Sequence, residues 1–425
     1  MPHTTLLDPA YAAQLDLADP LAHFRREFIM DEPGFIYLDG NSLGRLPRAT
    51  PPHLEQLITH AWGRRLVRGW NEGWIDLPQR VGAKIAGLIG ADPAGVLVAD
   101  STSVNFYKLA LAALQWQRRQ HPHKQHVLTD DLNFPSDLYV LQAVVNSLPG
   151  LRLEVTPTGA EDPAEAILAR LGPETALLTL SHTTFKSGYT YDVERMTRAA
   201  QAVGALVVWD LSHSVGVVPI DLSAAQADGA VGCTYKYLNG GPGAPAFIYV
   251  RPDWQTVWQN PVAGWMGQED MFAFEPRYRP KSGISRFLTG TPPILSLAAI
   301  EVGVDLVLAA GVPAIRAKSV RQSEFLIGLW AEVLQPLGFS LNSPRLAERR
   351  GSHISLGHPE AFRIDLALIH AMQLLPDFRR PDNLRLGIAP LYNSFADLQE
   401  AARRLQRVVT EGVYRRYTTE GWAVT

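Results

Sequence analysis

Cysteine is almost absent from this sequence: Cys233 is the only one in 425 residues. A single thiol excludes an intrachain disulfide framework and any zinc or iron–sulfur site built on cysteines. Long apolar runs are missing too. The strongest candidate, VVWDLSHSVGVV, is interrupted by Asp210 and His213, and nothing approaches the roughly 18 unbroken apolar residues of a membrane helix. The opening stretch MPHTTLLDPAYAAQLDLADP has early aspartates and no apolar core, so no secretory signal is expected and the chain reads as cytoplasmic. Neither sign of charge is in excess: 39 basic against 42 acidic residues leave a net −3. That argues against a nucleic-acid-binding surface. With 46% apolar and 19% charged residues, disorder is excluded for most of the chain.

What is present is an alternation. Val96–Ala99, 126–129, 151–155, 176–180, 205–209, 229–233 and 246–250 are short strand candidates, most of them apolar. Stretches of helical spacing separate them, among them 137–148, 163–171 and 192–203. Short apolar strands alternating with crossover helices predict an α/β unit around a mainly parallel sheet covered on both faces. Before it, Leu15, Leu17, Leu21, Phe24 and Phe28 mark a helical stretch. Phe35–Leu38 is a short strand, and Pro51 and Pro52 open a helix running through Trp62. After it, residues 301–334 read as one or two long helices, 354–356 and 384–388 as strands, and 395–413 as a final helix, an α+β texture. The expected division is an N-terminal segment (1–50) packing with the small domain, a large domain (51–305) and a small C-terminal domain (306–425).

Ligands of an open α/β sheet sit at the carboxyl ends of its strands. Those ends carry Ser101-Thr102-Ser103, Phe134-Pro135-Ser136-Asp137, Ser181, Asp210 with His213, and Tyr235-Lys236. Hydroxyls at a helix start make a phosphate seat or a simple cap. Asp210 closes a strongly apolar strand, where a carboxylate needs a cation, a cap role or a salt bridge. Lys236, 26 residues later and next to Asn239-Gly240-Gly241, is either a surface lysine or an amine that forms an imine. The combination matches the needs of pyridoxal phosphate (PLP): a lysine, an acid for the ring nitrogen and a phosphate cup. The sequence GGPG lacks the spacing of a nucleotide fingerprint.

The motifs FIYLDGNSLGRLP (35–47), FPSD (134–137), WDLSHSVG (209–216), YKYLNGG (235–241), GWMG (264–267) and LRLGIAPLYNSF (384–395) resemble those of the kynureninases, fold-type-I PLP enzymes related to the class V aminotransferases. The likeness runs from about residue 30 to the C-terminus. It implies a fold of a large PLP-binding domain and a smaller α+β domain. The implied activity is hydrolytic cleavage of L-kynurenine to anthranilate and alanine, by a homodimer with sites at the subunit interface. By that resemblance Lys236 joins the cofactor, Asp210 partners its ring nitrogen and His213 lies beside the ring. Phe134 stacks on the ring, with Pro135, Ser136 and Asp137 in the same loop. Thr102, Ser103 and Tyr235 hold the phosphate, Tyr235 also relaying protons, and Ser181 touches the cofactor. Trp265 and Thr291 reach the phosphate from the other subunit. Arg385 holds the substrate carboxylate, as suits a guanidinium fork, with Asn41, Ser42 and Trp70 also at the substrate. Trp70 and Thr291 stand where animal relatives that favour 3-hydroxykynurenine place a His and an Asn, so L-kynurenine is the expected substrate.

Rival readings are a class V aminotransferase, a cysteine desulfurase-like lyase and a non-catalytic cofactor-binding regulator. The desulfurase reading suffers because Cys233 lies just before Lys236 rather than in a later loop. His121, His123 and His126 fall in a basic loop, and no metal site is expected. Trp62, Trp70 and Trp74 either pack in a core or line the substrate pocket. Arg64-Arg65, Arg349-Arg350 and Arg415-Arg416 are expected on solvated faces.

Overall fold

The computed structural model describes residues 6–159 and 162–418. In chain order the first strand, β1 (Ile36–Tyr37), lies outside the main sheet. β2 (Val96–Val98), β3 (His126–Asp130), β4 (Arg152–Thr156), β5 (Thr175–Ser181), β6 (Leu206–Asp210), β7 (Gly229–Gly232) and β8 (Phe247–Val250) form it. Their spatial order is β2-β8-β7-β6-β5-β3-β4. β8 runs antiparallel to both neighbours, and every other pairing between neighbouring strands is parallel.

The apolar runs are explained by burial on two sides. Alternate residues of a strand face opposite ways. Leu178, Leu180, Val207 and Trp209 enter one core with Met196 and Ala200 of the Val193–Ala202 helix and Ile300 and Val304 of the Ile294–Ala310 helix. Leu177, Leu206, Val208 and Val231 enter a second core, under Phe106 and Leu109 of the Thr102–Gln120 helix. No position on β5 or β6 meets water, so charged residues are kept out of their interiors and Asp210 stands at a strand end.

The C-terminal part is built on β9 (Ser340–Leu341), β10 (Ile354–Gly357), β11 (Leu374–Leu375), β12 (Asp377–Arg379) and β13 (Asn383–Leu386). Four of these make an antiparallel sheet in the order β12-β13-β10-β9, and β11 pairs in parallel with β1. Helices Val312–Leu329, Ala361–Met372 and Phe395–Thr410 cover it. The N-terminal segment divides between cores: Ala12, Ile36 and Leu38 join the C-terminal one, whereas Leu21, Phe24 and Phe28 join the large one.

Several expectations are corrected. Leu17 is 88% exposed, because its helix, Pro9–Leu17, ends there. The helix expected through Trp62 is regular only over Thr50–Gln56. Beyond it the chain winds wider to Arg65 and tighter to Trp70, and no residue of Leu57–Arg65 is buried. Trp62 is therefore half exposed and packs in no core. Arg350 is not on a solvated face. It is 1% exposed, donates to Ser323 and to the Pro344 and Arg345 carbonyls, and pairs with Glu324. The expected one or two long helices over 301–334 are two helical segments, Ile294–Ala310 and Val312–Leu337, meeting at 80° at Gly311. Among the described residues no single helix is long and apolar enough to cross a membrane.

Gly303 lets the Ile294–Ala310 helix touch the turn after Lys236: a Cβ there would lie 2.0 Å from the Leu238 carbonyl oxygen. Helix propensity alone favours alanine by about 1 kcal/mol, but overpacking against backbone costs about 1–3 kcal/mol. Gly303→Ala is expected to lower stability in urea unfolding, and a gain instead would mean that the helix shifts freely.

Candidate active site

Four elements end on one cavity of about 230 Å³ at the carboxyl edge of the sheet. β6 delivers Asp210 and, two and three residues on, Ser212 and His213. The turn after β7 delivers Tyr235 and Lys236. Two helix starts deliver Thr102 and Ser103, and Phe134, Ser136 and Asp137. Their first N–H groups have no partner within the helix and turn the positive ends of two dipoles toward one space. The Ser103 and Ser136 hydroxyls share a hydrogen bond of 2.7 Å, which brings the two starts together.

The Lys236 amine stands 2.7 Å from Nε2 of His213 and 5.9 Å from the centre of the Phe134 ring. Burial first, then the Lys236 and Arg385 charges, push the His213 imidazole well below the usual histidine range. It is a neutral acceptor for the amine, and its buried Nδ1 has no partner among the described residues. Asp210 accepts from the Ser212 amide (2.9 Å) and hydroxyl (2.6 Å). Asp137 is 2% exposed, and burial and then the Asp210 charge drive its carboxyl well above the usual range. Asp137 thus holds its proton beside Asp210, where a cationic group entering the cavity would displace it. The neighbouring Cys233 and burial push the Tyr235 hydroxyl upward, so it stays a donor.

The other wall comes from the C-terminal sheet. Arg385 is 2% exposed and lies across from Asp377 in the β12–β13 register. Its Nε donates to Asp377 (2.6 Å), and Nη2 completes a two-point grip on the same carboxylate. Nη2 also donates to Ser42 (3.1 Å), and Nη1 to the Phe185 carbonyl (2.6 Å). Ser42 and Arg379 donate to Asp377 as well, at 3.0 and 2.8 Å. Asn41 lines the cavity fully buried, with both side-chain amide atoms unpartnered among the described residues. The turn carrying Asn41 and Ser42 sits tightly on the lysine turn: the Gly44 amide donates to the Tyr235 carbonyl (2.8 Å), and a Cβ on Gly44 would lie 2.3 Å from the Lys236 carbonyl.

Of the residues expected at the site, the cavity gathers Asn41, Ser42, Thr102, Ser103, Phe134, Ser136, Asp137, Asp210, His213, Tyr235, Lys236 and Arg385. Ser181 lies one layer below, donating to Asn133 (2.6 Å) and, more weakly, to Asp210 (3.5 Å). Pro135 opens its helix without lining the space. Trp70, edge-on to Trp74 at 5.6 Å, stands off the cavity of its own chain. Trp265 and Thr291 do so too; both are exposed. Ser212, Asp377 and Arg379 were missed. Ser212 sits inside WDLSHSVG, where an acid followed two residues later by a serine is a signal for a side-chain-to-amide turn.

Residues 315–405 match the family model of the kynureninase C-terminal domain. Kynureninase of Burkholderia pseudomallei (strain 1106a) is 41% identical over 408 residues, 95% of this chain and 96% of that one. The chain belongs to the kynureninase family. Kynureninase of Pseudomonas fluorescens is 40% identical over 93% of this chain and 94% of its own. Among solved structures, the cysteine desulfurase of Thermococcus onnurineus NA1 superposes with a TM-score of 0.78 at 18% identity, over 92% of this chain and 98% of that one. A mutant of C-DES with glycine covalently linked to its PLP cofactor gives 0.78 at 18%, over 90% and 98%. This kynureninase-family chain thus shares an α/β fold with desulfurases while its sequence follows another family.

Asp39 supplies a pH test. Burial, then the charge of Asp377, raise its carboxyl from 3.8 to about 7. A raised acid favours the folded state below its unfolded pKa, and that advantage is lost as pH rises toward the folded one. Asp39→Asn is therefore expected to gain stability relative to the parent as pH goes from about 4 to about 7, read by urea unfolding across that range. A pH-independent difference would place the charge elsewhere.

Proposed function

We propose that this chain is a cytoplasmic, homodimeric, PLP-dependent hydrolase that cleaves L-kynurenine to anthranilate and L-alanine. The observation that carries the reading is one cavity holding Lys236, Asp210, two hydroxyl-bearing helix starts and Arg385, in a chain 41% identical to named kynureninases over nearly its whole length.

The residues fit the cofactor. Lys236 offers the amine, Asp210 and the proton-holding Asp137 offer a place for a cationic ring nitrogen, Phe134 offers a ring face, and Thr102, Ser103 and Tyr235 offer donors for phosphate. PLP, when bound, supplies the electron sink for charge developing at the substrate's α-carbon. Arg385 orients the substrate through its α-carboxylate. Four of its five N–H groups are already engaged, so a two-point grip recruits the one now given to Ser42. Lys236 would take the substrate's α-proton, with the neutral His213 imidazole 2.7 Å from its amine as a hydrogen-bond acceptor. The protonated Tyr235 hydroxyl serves the γ-carbonyl as water adds and the Cβ–Cγ bond breaks. Water's hydroxyl ends on the anthranilate carbonyl and a proton on Cβ of alanine.

The homodimer is supported by uncovered apolar side chains: Ile58, Trp62, Leu66 and Val67 on one segment, and Trp265, Phe272 and Phe274 on another. Trp265 and Thr291, off their own cavity, would then serve the partner's. Light scattering is expected to return twice the mass of one chain, and a monomer fully active at assay concentration would overturn this part.

Turnover is expected as anthranilate fluorescence with one alanine per anthranilate, faster on L-kynurenine than on 3-hydroxykynurenine. Lys236→Ala is expected to lower kcat by at least about 10³-fold. Native-like turnover in that variant would remove Lys236 from the reaction. An amine–oxo acid exchange without anthranilate would replace the hydrolase by an aminotransferase.

A further inference from the structure

We propose that the ion pair between the buried Lys108 and the partly exposed Asp100 positions the helix start at Thr102 and Ser103 for the cofactor's phosphate and ties it to the segment carrying Trp265. The proposal rests on the reading of the cavity as a PLP site.

Lys108 is fully buried in the Thr102–Gln120 helix, away from the cavity, and spends its amine on the Asp100 carboxylate and the Phe287 carbonyl (2.8 Å). Burying a lysine costs free energy unless it is paired, so the pairing calls for a reason beyond packing. Asp100 is the residue at which β2 turns into that helix. Its φ is +48°, a left-handed conformation that a non-glycine residue holds only when its surroundings impose it. Three contacts impose it here. The Asp100 carboxylate takes Lys108, the same carboxylate accepts from the Thr289 hydroxyl (3.3 Å), and the Asp100 carbonyl accepts from the Ala246 amide (2.8 Å). The next residue, Ser101, caps the helix, and Thr102 and Ser103 then face the cavity.

Thr289 extends the network. Its carbonyl accepts from the Met266 amide (3.1 Å), and Gly264 lies so close that a Cβ there would be 2.3 Å from the same oxygen. The loop with Trp265 is thereby stapled to the residue that holds Asp100. Lys108 touches neither cavity nor ligand and acts only through Asp100, which makes it a positioning residue. Its effect should follow the phosphate and not the aldehyde.

PLP and phosphate-free pyridoxal, titrated separately into the purified full chain, both report through the visible band acquired on joining Lys236. Lys108→Met is expected to weaken PLP binding by at least about tenfold, with pyridoxal binding unchanged within about twofold and most of the loss rescued in Lys108→Arg. Thr289→Val, which removes one hydroxyl and keeps the shape, is expected to shift PLP in the same direction by a smaller factor, and it serves if Lys108→Met does not fold. Equal weakening of both ligands, or no weakening in either variant, overturns the proposal. If the parent chain forms no such band with PLP, the reading of the cavity falls, and this proposal with it.

Discussion

Arg385 and Asp377 form the contact on which the two halves of the molecule depend. The pair is buried inside the C-terminal sheet, yet its remaining bonds go to Ser42 in the N-terminal segment and to the Phe185 carbonyl in the large domain. Three regions distant in sequence thus converge on one guanidinium. Burying such a group is costly, and the cost is offset here by the acceptors that meet four of its five N–H groups. A second arginine, Arg379, shares the same aspartate. Two cations on one carboxylate leave a positive balance at the cavity wall, which is the electrostatic complement of a carboxylate-bearing ligand. Burial of Asp39 next to Asp377 sharpens this, because its raised carboxyl withholds the negative charge that would otherwise cancel the excess.

The opposite wall follows from the sheet. Strands covered on both faces have only their ends for polar residues, so Asp210, Ser181 and the turn to Lys236 gather at one edge by exclusion as much as by attraction. The helices that cover the sheet begin at that same edge and aim their free N–H groups into the space. A cavity with a proton-holding acid pair, a neutral imidazole against an amine and two dipole ends is polarised before anything binds. That preorganisation is what a site must have if groups are to act without reorganising at the moment of reaction.

Much of this was legible in the residues. The seven expected runs became the seven strands of the central sheet, with boundaries shifted by at most one residue, and the signal is continuous where burial covers both faces, as in β5 and β6. Twelve of the expected site residues share the cavity because strand ends and helix starts are where such folds keep polar groups. Asp377 and Arg379 were not legible. They lie on a three-residue strand too short to show a period, and their meaning comes from a cross-strand register with Arg385 eight residues away. Arg350 was misjudged for a related reason: a pair of arginines reads as solvent-facing until its partners, Ser323 and Glu324, are brought in from another helix. The expected helix through Trp62 ran past its regular part because, of the apolar residues in Leu57–Arg65, only Leu57 packs partly against the core and none is buried.

The position of the one cysteine has a practical meaning. Cys233 is 1% exposed, directly before the lysine turn, and burial raises its thiol above the usual range. Thiol reagents attack the thiolate at an accessible sulfur, and this sulfur is neither ionised nor reachable in the folded chain. The molecule therefore behaves as a cysteine-free background for surface chemistry. A cysteine introduced at Leu17 or Leu346, which are 88% and 61% exposed, would be the one reactive thiol. A spin label or fluorophore could then report on the N-terminal or C-terminal part with the native Cys233 left in place.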